Sequence, residues 1–327
     1  MARSGRLWHC REPRCRRLRR QFPALAFRVR GTMQSIPSAI RGPIFMVVAT
    51  GSYVINDTFM KLATDGLPPY QVLFLRGVAA LLWGLPLLAL AGQMRNAPLM
   101  ADGRVLARSC MELLAVLCYV VALANMPIAD AIALGQVTPL LMLVGAAWFF
   151  GERIGRLRAV LIALGFAGAI MVAQPTMQGV SIFALLALGN ALFSAVRDLS
   201  GRRIDARVPG LIVAMSAVVV VVIGAGAVHL MAETWVVPGP RHLLLLAASG
   251  FFLVFGHFFI FTAYRAAATA TVAPFYYTFT VWAVISGFAV FGELPNALAS
   301  AGILLVAGSG LAIVLMDRRS RRVAPTA

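Results

Sequence analysis

Long apolar runs alternate with short polar gaps along this chain of 327 residues. Ten runs stand near the length of about 17–25 residues that a membrane-spanning helix requires. They cover residues 43–63, 70–91, 106–124, 128–149, 157–173, 180–198, 209–230, 242–264, 271–291 and 296–316. Lipid supplies no hydrogen-bond partner to an open backbone, so such runs form helices rather than irregular coil. The pattern predicts an all-α membrane protein with ten transmembrane helices.

Positive charge is sorted between the gaps. Of the 29 Lys and Arg residues, 26 lie at the two ends of the chain or in every second gap. The exceptions are Lys61, Arg76 and Arg241. Because cytoplasmic loops of membrane proteins are enriched in Lys and Arg, the sorting predicts a multi-pass protein of the cell inner membrane with both termini cytoplasmic.

The composition also favours a membrane protein. Hydrophobic residues make up 60% of the chain and charged residues 13%, against about 25% charged in soluble domains. A net charge of +17 would suit a nucleic-acid partner, but here the arginines are spread over short loops. Loops of that kind contact anionic lipid. We therefore expect membrane lipid, and no nucleic acid, among the partners.

Two stretches of the chain resemble each other. Val121–Glu152 and Thr262–Glu293 both run from an Ala-rich turn through a proline-containing apolar helix to Phe-Gly-Glu. They are five runs apart, and because five is odd the second copy enters the membrane in the opposite sense. Inverted repeats of this kind are typical of secondary transporters, with a solute site near the midplane between the halves.

The repeat predicts the domain organisation. We expect a first five-helix repeat over 42–174, a second over 175–316 and a basic cytoplasmic tail over 317–327. Residues 1–41 hold eleven Arg and one acidic residue. They are interpreted either as a basic cytoplasmic leader or as a segment that is partly untranslated, with the start at Met33 and residues 1–32 absent from the mature protein.

The chain resembles the ten-helix EamA-type members of the drug/metabolite transporter superfamily over about residues 43–316. The resemblance is carried by the Arg76 helix after Leu67-Pro68-Pro69, by ALANMPIADA before Phe150-Gly151-Glu152, and by AYRAAATATVAPFYY before FGELP. It implies two inverted five-helix halves, alternating access and transport of a small organic metabolite. Members include amino-acid exporters, riboflavin importers and S-adenosylmethionine carriers. The stretch NDTFMKLATDGLPPYQVLFLRG further resembles a riboflavin-uptake branch.

Three residues of the first two runs are candidates for the solute pathway. An ionisable side chain inside a spanning helix is costly unless it is paired or wetted. Asp57 and Arg76 lie at similar depth on antiparallel helices, so we expect them to pair, with Asn56 beside them. The Arg76 fork suits a carboxylate or phosphate group, since it bonds two oxygens at once. The alternative is a structural ion pair that never contacts solute.

Glu112 and His257 are candidates for an inner gate. Both lie within about two helical turns of the predicted cytoplasmic face, on runs that correspond under the repeat. An imidazole titrates near neutral pH, so His257 is a candidate proton sensor. The alternative is a snorkelling Glu112 and a hydrogen-bonded core His257.

Aromatic residues are concentrated in the eighth and ninth runs. Facing a cavity, the rings of Tyr276, Tyr277 and Trp282 would stack on a flat solute; facing lipid, they would be ordinary apolar surface. Pro139 and Pro274 interrupt the two copies of one element, where each removes a backbone hydrogen bond and bends the helix. Such a bend either exposes backbone carbonyls to a cavity or has no effect on function.

These residues predict a secondary transporter rather than an enzyme. The sequence contains no phosphate-binding loop of the Gly-Lys-Ser/Thr kind, no nucleophile-base constellation, and no residue spacing that predicts a cofactor or metal. Riboflavin uptake is the specific prediction, an amino-acid or other metabolite exporter is the alternative, and a membrane-embedded enzyme is the alternative class. Small residues in the fifth and tenth runs indicate close helix packing within one chain or in a homodimer.

Overall fold

The computed structural model describes residues 38–150, 155–174, 180–201, 203–205, 207–267 and 269–323. The helices are α1 (Ser38–Ala63), α2 (Pro69–Leu90), α3 (Gly103–Asn125), α4 (Ile128–Gly135), α5 (Thr138–Phe150), α6 (Arg156–Ala173), α7 (Ile182–Gly201), α8 (Gly210–Ala232), α9 (Pro240–Ala266), α10 (Thr269–Val272), α11 (Thr278–Phe291) and α12 (Ala297–Val323). Two 3₁₀ helices span Met94–Ala101 and Ala273–Tyr277. The prediction of an all-α protein is confirmed, and each of the ten predicted runs is helical. Residues 1–37 of the leader predicted over 1–41, the corner Gly151-Glu152 and residues 324–327 lie outside the described residues.

The fourth and ninth runs are each built from more than one helix. The fourth is interrupted at Gln136 and Val137, just before Pro139, and the ninth consists of α10, a 3₁₀ turn that contains Pro274, and α11. Proline has no N–H and its ring clashes with the carbonyl four residues earlier, so regular α-helix ends near each proline. These breaks lie at corresponding places in the two repeat copies.

Nine described helical segments are long and apolar enough to cross a membrane. The helix α1 is not among these nine, although it is 26 residues long. Its second half carries Asn56, Asp57 and Lys61, which lower its mean hydropathy. This is tolerated because these polar side chains are turned away from lipid, with Asn56 and Asp57 both buried.

Helix pairing follows the repeat. The helix α1 packs along α9, and its counterpart α7 packs along α3; α2 pairs with α8, and α6 with α12. If each run is replaced by its counterpart in the other repeat, five runs away, the pair α1–α9 becomes the pair α7–α3. The pairs α2–α8 and α6–α12 are left unchanged. All four pairs join one predicted half to the other, so the contacts between the halves are symmetric, while the boundaries 42–174 and 175–316 stay predictions.

Hydroxyl groups join α1 to α11. Thr50 Oγ1 lies 2.8 Å from Thr278 Oγ1, and Thr58 Oγ1 lies 2.5 Å from Ser286 Oγ. Both pairs are separated by 228 residues, so the two helices run parallel. We call these two hydroxyl pairs the hydroxyl seam.

The counterpart of this seam, between α7 and α5, has one hydroxyl bond, from Thr138 Oγ1 to the Ala191 carbonyl at 3.2 Å, and an apolar contact where the second hydroxyl pair would lie. Leu199 is 141 positions after Thr58, and Gly145 is 141 positions before Ser286. These two counterparts also meet: a methyl group added at Gly145 would lie 2.7 Å from Leu199 Cδ1. The two halves therefore share the contact geometry and differ in its chemistry.

Small residues bring α6 and α12 together within the chain. A methyl group at Gly168 would lie 2.7 Å from the Gly302 carbonyl oxygen, and one at Gly302 would lie 2.6 Å from that of Gly168. The predicted close packing of the fifth and tenth runs thus occurs inside one protomer, as small residues permit.

The loops gather at two ends of the bundle as the charge sorting requires. At one end, Arg104 Nη1 donates to the Arg203 carbonyl at 3.0 Å. At the other end, the side-chain amides of Gln174 and Asn296 bond each other at 2.9 and 3.0 Å. We call the first end, with Met94–Ala101 and residues 203–205 and 207–209, the arginine face. The opposite end, with residues 64–68, 126–127, 233–239 and 292–296, is the latch face.

Candidate functional site

A large cavity of about 1540 Å³ lies between the two halves. Its deep part is lined by Tyr53, Asn56, Asp57, Arg76 and Tyr119, and by Gly135 and Gln136 at the break between α4 and α5. Ligand pockets for drug-sized molecules usually measure about 300–1,000 Å³. This cavity is therefore large enough for an organic solute together with water.

The cavity opens toward the arginine face. Its lining continues through Arg108 and Arg197 to Gly201, Asp205 and the start of α8. Among the described residues, the lining does not include the ends of the helices on the latch face. The structure is thus of a bundle open at one end and closed at the other.

A charged contact closes the latch face above the cavity. Lys61 Nζ lies 3.0 and 3.2 Å from the two carboxylate oxygens of Glu293, donates to the Met126 carbonyl at 2.8 Å, and lies 4.7 Å from the centre of the Phe291 ring. The Lys61 side chain is 11% exposed and that of Glu293 35%. One ammonium group therefore ties α1 to the loop before α4 and to the end of α11.

A second set of contacts closes the latch face at the start of α2. The Glu233 carboxylate accepts the backbone N–H groups of Tyr70 and Gln71, both at 3.0 Å, and His229 Nδ1 donates to it at 2.8 Å. The amides at a helix start have no partner within the helix, so an external carboxylate stabilises them. The Gln71 side-chain amide also forms two hydrogen bonds with the backbone of Val236, of 2.5 and 3.0 Å.

Asp57 and Arg76 line the cavity at similar depth but do not form the predicted direct ion pair. Asp57 Oδ1 accepts from Asn56 Nδ2 and Oδ2 accepts from Tyr119 Oη, both at 2.8 Å. Arg76 Nε instead donates to Met60 Sδ at 3.2 Å. Asp57 is 5% exposed and Arg76 7% exposed. The short polar partners on α1 and α3 occupy the carboxylate, so the guanidinium remains directed to the cavity.

Glu112 pairs with Arg197, a residue that the sequence analysis counted among the loop arginines. Arg197 Nη1 lies 2.6 Å from Glu112 Oε2, and its Nε and Nη2 donate to Asp198 at 2.7 and 3.0 Å. Together these contacts join α3 to α7 at the mouth of the cavity. Arg108 lines the same mouth, which therefore carries two arginines beside two paired acids.

His257 lines the cavity on the opposite wall. Its Nδ1 donates to the Leu253 carbonyl at 2.8 Å, so the neutral ring presents Nε2 as an acceptor. The ring packs edge-on against Tyr53, with centroids 5.3 Å apart, and Tyr53 in turn lies 6.3 Å from Phe279. The predicted inner gate is therefore divided between two walls, with Glu112 on the charged wall and His257 on the aromatic wall.

The aromatic residues predicted to meet solute are distributed between two environments. Tyr276, Tyr277, Phe258 and Phe279 line the cavity. Trp282 instead packs on Gly51 of α1 and donates to the Val47 carbonyl at 3.2 Å. Pro139 lies in the lining, whereas Pro274 lies in the 3₁₀ turn next to lining residue Ala273.

Sequence reasoning missed several polar lining residues, among them Tyr53, Arg108, Tyr119 and Arg197. Tyr53 precedes Asp57 by one helical turn, and Tyr119 and Glu112 share one face of α3 at a spacing of seven residues. That spacing was the available signal. Among the described residues, no cluster of three or more His, Cys, Asp or Glu side chains has an arrangement that would hold a metal ion.

Comparison with known proteins agrees with this architecture. Residues 40–174 match the model of the EamA-like transporter family. A crystal structure with 20% identity superposes with a TM-score of 0.59, over 84% of this chain and 98% of the other, and so shares the fold.

Curated relatives align over most of the chain. The pseudopaline exporter of Pseudomonas aeruginosa is 28% identical over 83% of this chain and 95% of its own length. The riboflavin transporter of Rhizobium johnstonii is 29% identical over 87% and 94%, and that of Vibrio cholerae 26% identical over 78% and 87%. With its membrane-length helices and these bacterial relatives, the chain is a multi-pass inner-membrane protein. The chain is thus similar to EamA-like transporters over residues 40–174, and to bacterial transporters over most of its length.

Proposed function

We propose that this protein is a secondary transporter that moves a small organic metabolite across the inner membrane by alternating access, with riboflavin uptake as its specific activity. The observation that carries the proposal is the cavity that, within the described part of the chain, opens toward the arginine face and is closed at the opposite end by Lys61 and Glu293. A solute path that is open at one end and bonded shut at the other is one of the two states that alternating access needs.

The two walls of the cavity favour a flat solute with polar substituents. Tyr53, His257 and Phe279 give one wall aromatic faces on which a ring system stacks. Arg76 and Asn56 on the other wall bond carbonyl and hydroxyl oxygens. Riboflavin combines a tricyclic ring with carbonyls and a polyhydroxyl chain, and three relatives carry the name riboflavin transporter.

Purified protein in liposomes tests this proposal directly. Protein-containing vesicles loaded with unlabelled riboflavin are expected to accumulate labelled riboflavin by exchange. The same vesicles without internal riboflavin are not. Excess lumiflavin, which keeps the ring, is expected to compete, whereas ribitol alone is not. Recovery of a chemically altered flavin would indicate an enzyme, and absence of exchange by well-inserted protein would refute riboflavin as the solute.

Export of an amino-acid-like or other metabolite is the second candidate. It is favoured by the relative named pseudopaline exporter, whose identity to this chain is similar to that of the riboflavin transporters. The cavity also opens toward the arginine-rich loops, the side from which an exported solute would enter. Efflux of labelled amino acids from preloaded vesicles, without riboflavin exchange, would establish this alternative.

We further propose that the arginine face is cytoplasmic and the latch face external, with both termini in the cytoplasm. The sorting of arginines to one end of the bundle supports this orientation. Reporter tags in the loops at Glu152 and at Glu293 are expected on opposite sides of the inner membrane. Both tags on one side would refute the orientation and the inversion of the repeat together.

A further inference from the structure

The acids that line the cavity differ in their partners. Glu112 and Asp198 are both paired with Arg197, and Asp205 at the mouth is paired with Arg207 at 2.7 Å. Among the described residues, Asp57 is the lining carboxylate that has no cationic nitrogen within 4 Å. It is also the most deeply placed, at the level of Arg76 and Tyr119.

We propose that Asp57 is the proton-binding group that couples solute movement to the proton gradient. This inference rests on the proposed function as a secondary transporter. A carboxylate inside the membrane without a cation is costly, and it is tolerated where it faces a wet cavity and takes part in transport. Asp57 meets both conditions, because it is buried in α1 and lines a cavity open to one aqueous side.

The hydrogen bonds of Asp57 suit a proton better than a metal ion. Asn56 Nδ2 and Tyr119 Oη both direct hydrogens at the carboxylate. The Asn56 side-chain oxygen is occupied by Ser249 Oγ at 2.8 Å, and its backbone carbonyl by the same hydroxyl at 3.1 Å. An entering Na⁺ would therefore meet donor hydrogens where it needs free oxygen lone pairs.

Tyr119 can accommodate the proton without breaking the site. A proton from cavity water binds Asp57 Oδ2, and the new O–H then donates to Tyr119 Oη. The phenol both accepts and donates, so its own hydrogen turns toward the cavity. The carboxyl changes from charged to neutral, and the contact between α1 and α3 is kept.

The neighbouring charges determine whether the proton and the solute move in the same direction or in opposite directions. The titratable and charged groups around Asp57 on the packed elements are Arg76 of α2, Tyr119 and Glu112 of α3, His257 of α9, Tyr276 of the 3₁₀ turn, and Tyr53 and Lys61 of α1 itself. Arg76 is the cation that acts on Asp57. When Asp57 is protonated, Arg76 loses one of the two carboxylate charges that act on it, those of Asp57 and Glu112, and binds the oxygen atoms of a solute more tightly. Proton and solute therefore bind together and move in the same direction.

Transport in liposomes tests the coupling with Asp57→Asn, which keeps the shape and the acceptor for Tyr119. A gradient of about one pH unit, alkaline inside, is expected to drive up to about tenfold accumulation of riboflavin by wild-type protein, because one pH unit equals a factor of ten for one proton per solute. Asp57→Asn is expected to lose this accumulation and keep riboflavin exchange. Asp65→Asn, an exposed acid on the latch face, is the matched control and should behave as wild type.

Proton counting on the purified protein needs no solute. Acidification from about pH 8 to about pH 5 is expected to add about one more proton to wild type than to Asp57→Asn, measured with a pH dye. Equal proton uptake would overturn the proposal, as would riboflavin exchange by wild type that ignores the gradient. If wild type shows no riboflavin exchange, the solute of the proposed function is wrong, and the proton count alone decides the role of Asp57.

His257 provides the contrasting variant. Because its Nδ1 is bonded to the Leu253 carbonyl, His257→Gln can replace this donor with its amide. This variant is expected to bind riboflavin less tightly, because a ring is lost from the aromatic wall, but still to accumulate more riboflavin with the pH gradient than without it. Loss of gradient-driven accumulation in His257→Gln, together with its retention in Asp57→Asn, would transfer the coupling role to the histidine and overturn the proposal.

Discussion

Replacing Lys61 by methionine should open the latch face. The variant keeps most of the length of the side chain and removes three interactions of one ammonium group: the pair with Glu293, the bond to the Met126 carbonyl and the contact with the Phe291 ring. The charged hydrogen bond contributes about 1.5–3 kcal/mol, the half-exposed ion pair up to about 1 kcal/mol, and the ring contact about 0.5–1 kcal/mol. After the cost of removing the ammonium from water, we expect a net loss of about 3 kcal/mol from the closed state, which is a factor of about 100 in the conformational equilibrium.

Cysteine accessibility measures that equilibrium. Ile132 lines the cavity and is 3% exposed, so an Ile132→Cys site reports whether the cavity has opened toward the latch face. In a background without the four natural cysteines, a membrane-impermeant maleimide added outside should label this site about 10–100 times faster when Lys61→Met is present.

Two control variants show whether faster labelling is caused by the loss of the Lys61 contacts. Lys61→Arg keeps the charge and should label slowly, and Arg241→Met removes an exposed cation near the same face and should leave the rate unchanged. Equal labelling of Lys61→Met and wild type, with both correctly inserted, would mean that the Lys61 contacts do not hold this end closed.

Three further predictions follow from the contacts. Arg76→Ala should abolish solute transport while membrane levels stay normal, because the guanidinium lines the cavity and its contact with Met60 Sδ is a weak one; transport at the wild-type rate would refute its role. Glu112→Gln and Arg197→Gln should each destabilise the protein by about 1–3 kcal/mol, whereas the double variant should lose less than the sum, since both single changes break the same contact between Glu112 and Arg197; additive losses in thermal unfolding would contradict this. Gly168→Ala should lower thermal stability by about 1–3 kcal/mol, because its methyl group would meet the Gly302 carbonyl, while Gly308→Ala, where the space is open, should not; equal melting temperatures for the two variants would show that the helices separate freely.

The helices could be predicted from the sequence because the signal for a membrane span is local. A run of apolar residues of sufficient length is helical whatever its neighbours are, since lipid leaves the backbone no alternative. The break before Pro139 is equally local, because proline disrupts the backbone within four residues of itself. The charge sorting also depends only on short stretches, and it correctly grouped the loops at the two ends of the bundle.

The partners of the buried charges could not be predicted in this way. Tyr119, which holds Asp57, is 62 residues away along the chain, and no spacing rule connects them. Arg197 lies at the end of its run, so the sequence pattern groups it with the loop residues. In the structure it bonds the carboxylate of Glu112 and lies in the mouth of the cavity. Lys61 did stand out as an exception to the sorting. Such exceptions deserve a search for an acidic partner, since a cation on the wrong side of a membrane protein needs a reason to be there.

The hydroxyl seam between α1 and α11 implies that the two orientations of this protein, open to one face or to the other, differ in free energy. At its counterpart, Leu199 fills the space over Gly145, a contact that depends on fit and is lost when the helices shift by a fraction of a turn. Thr58 and Ser286, by contrast, can exchange their bond for one with water as they separate. Helix separation should therefore be gradual at the hydroxyl seam and abrupt at its counterpart. The protein would then spend longer in one orientation even when the solute is equally abundant on both sides.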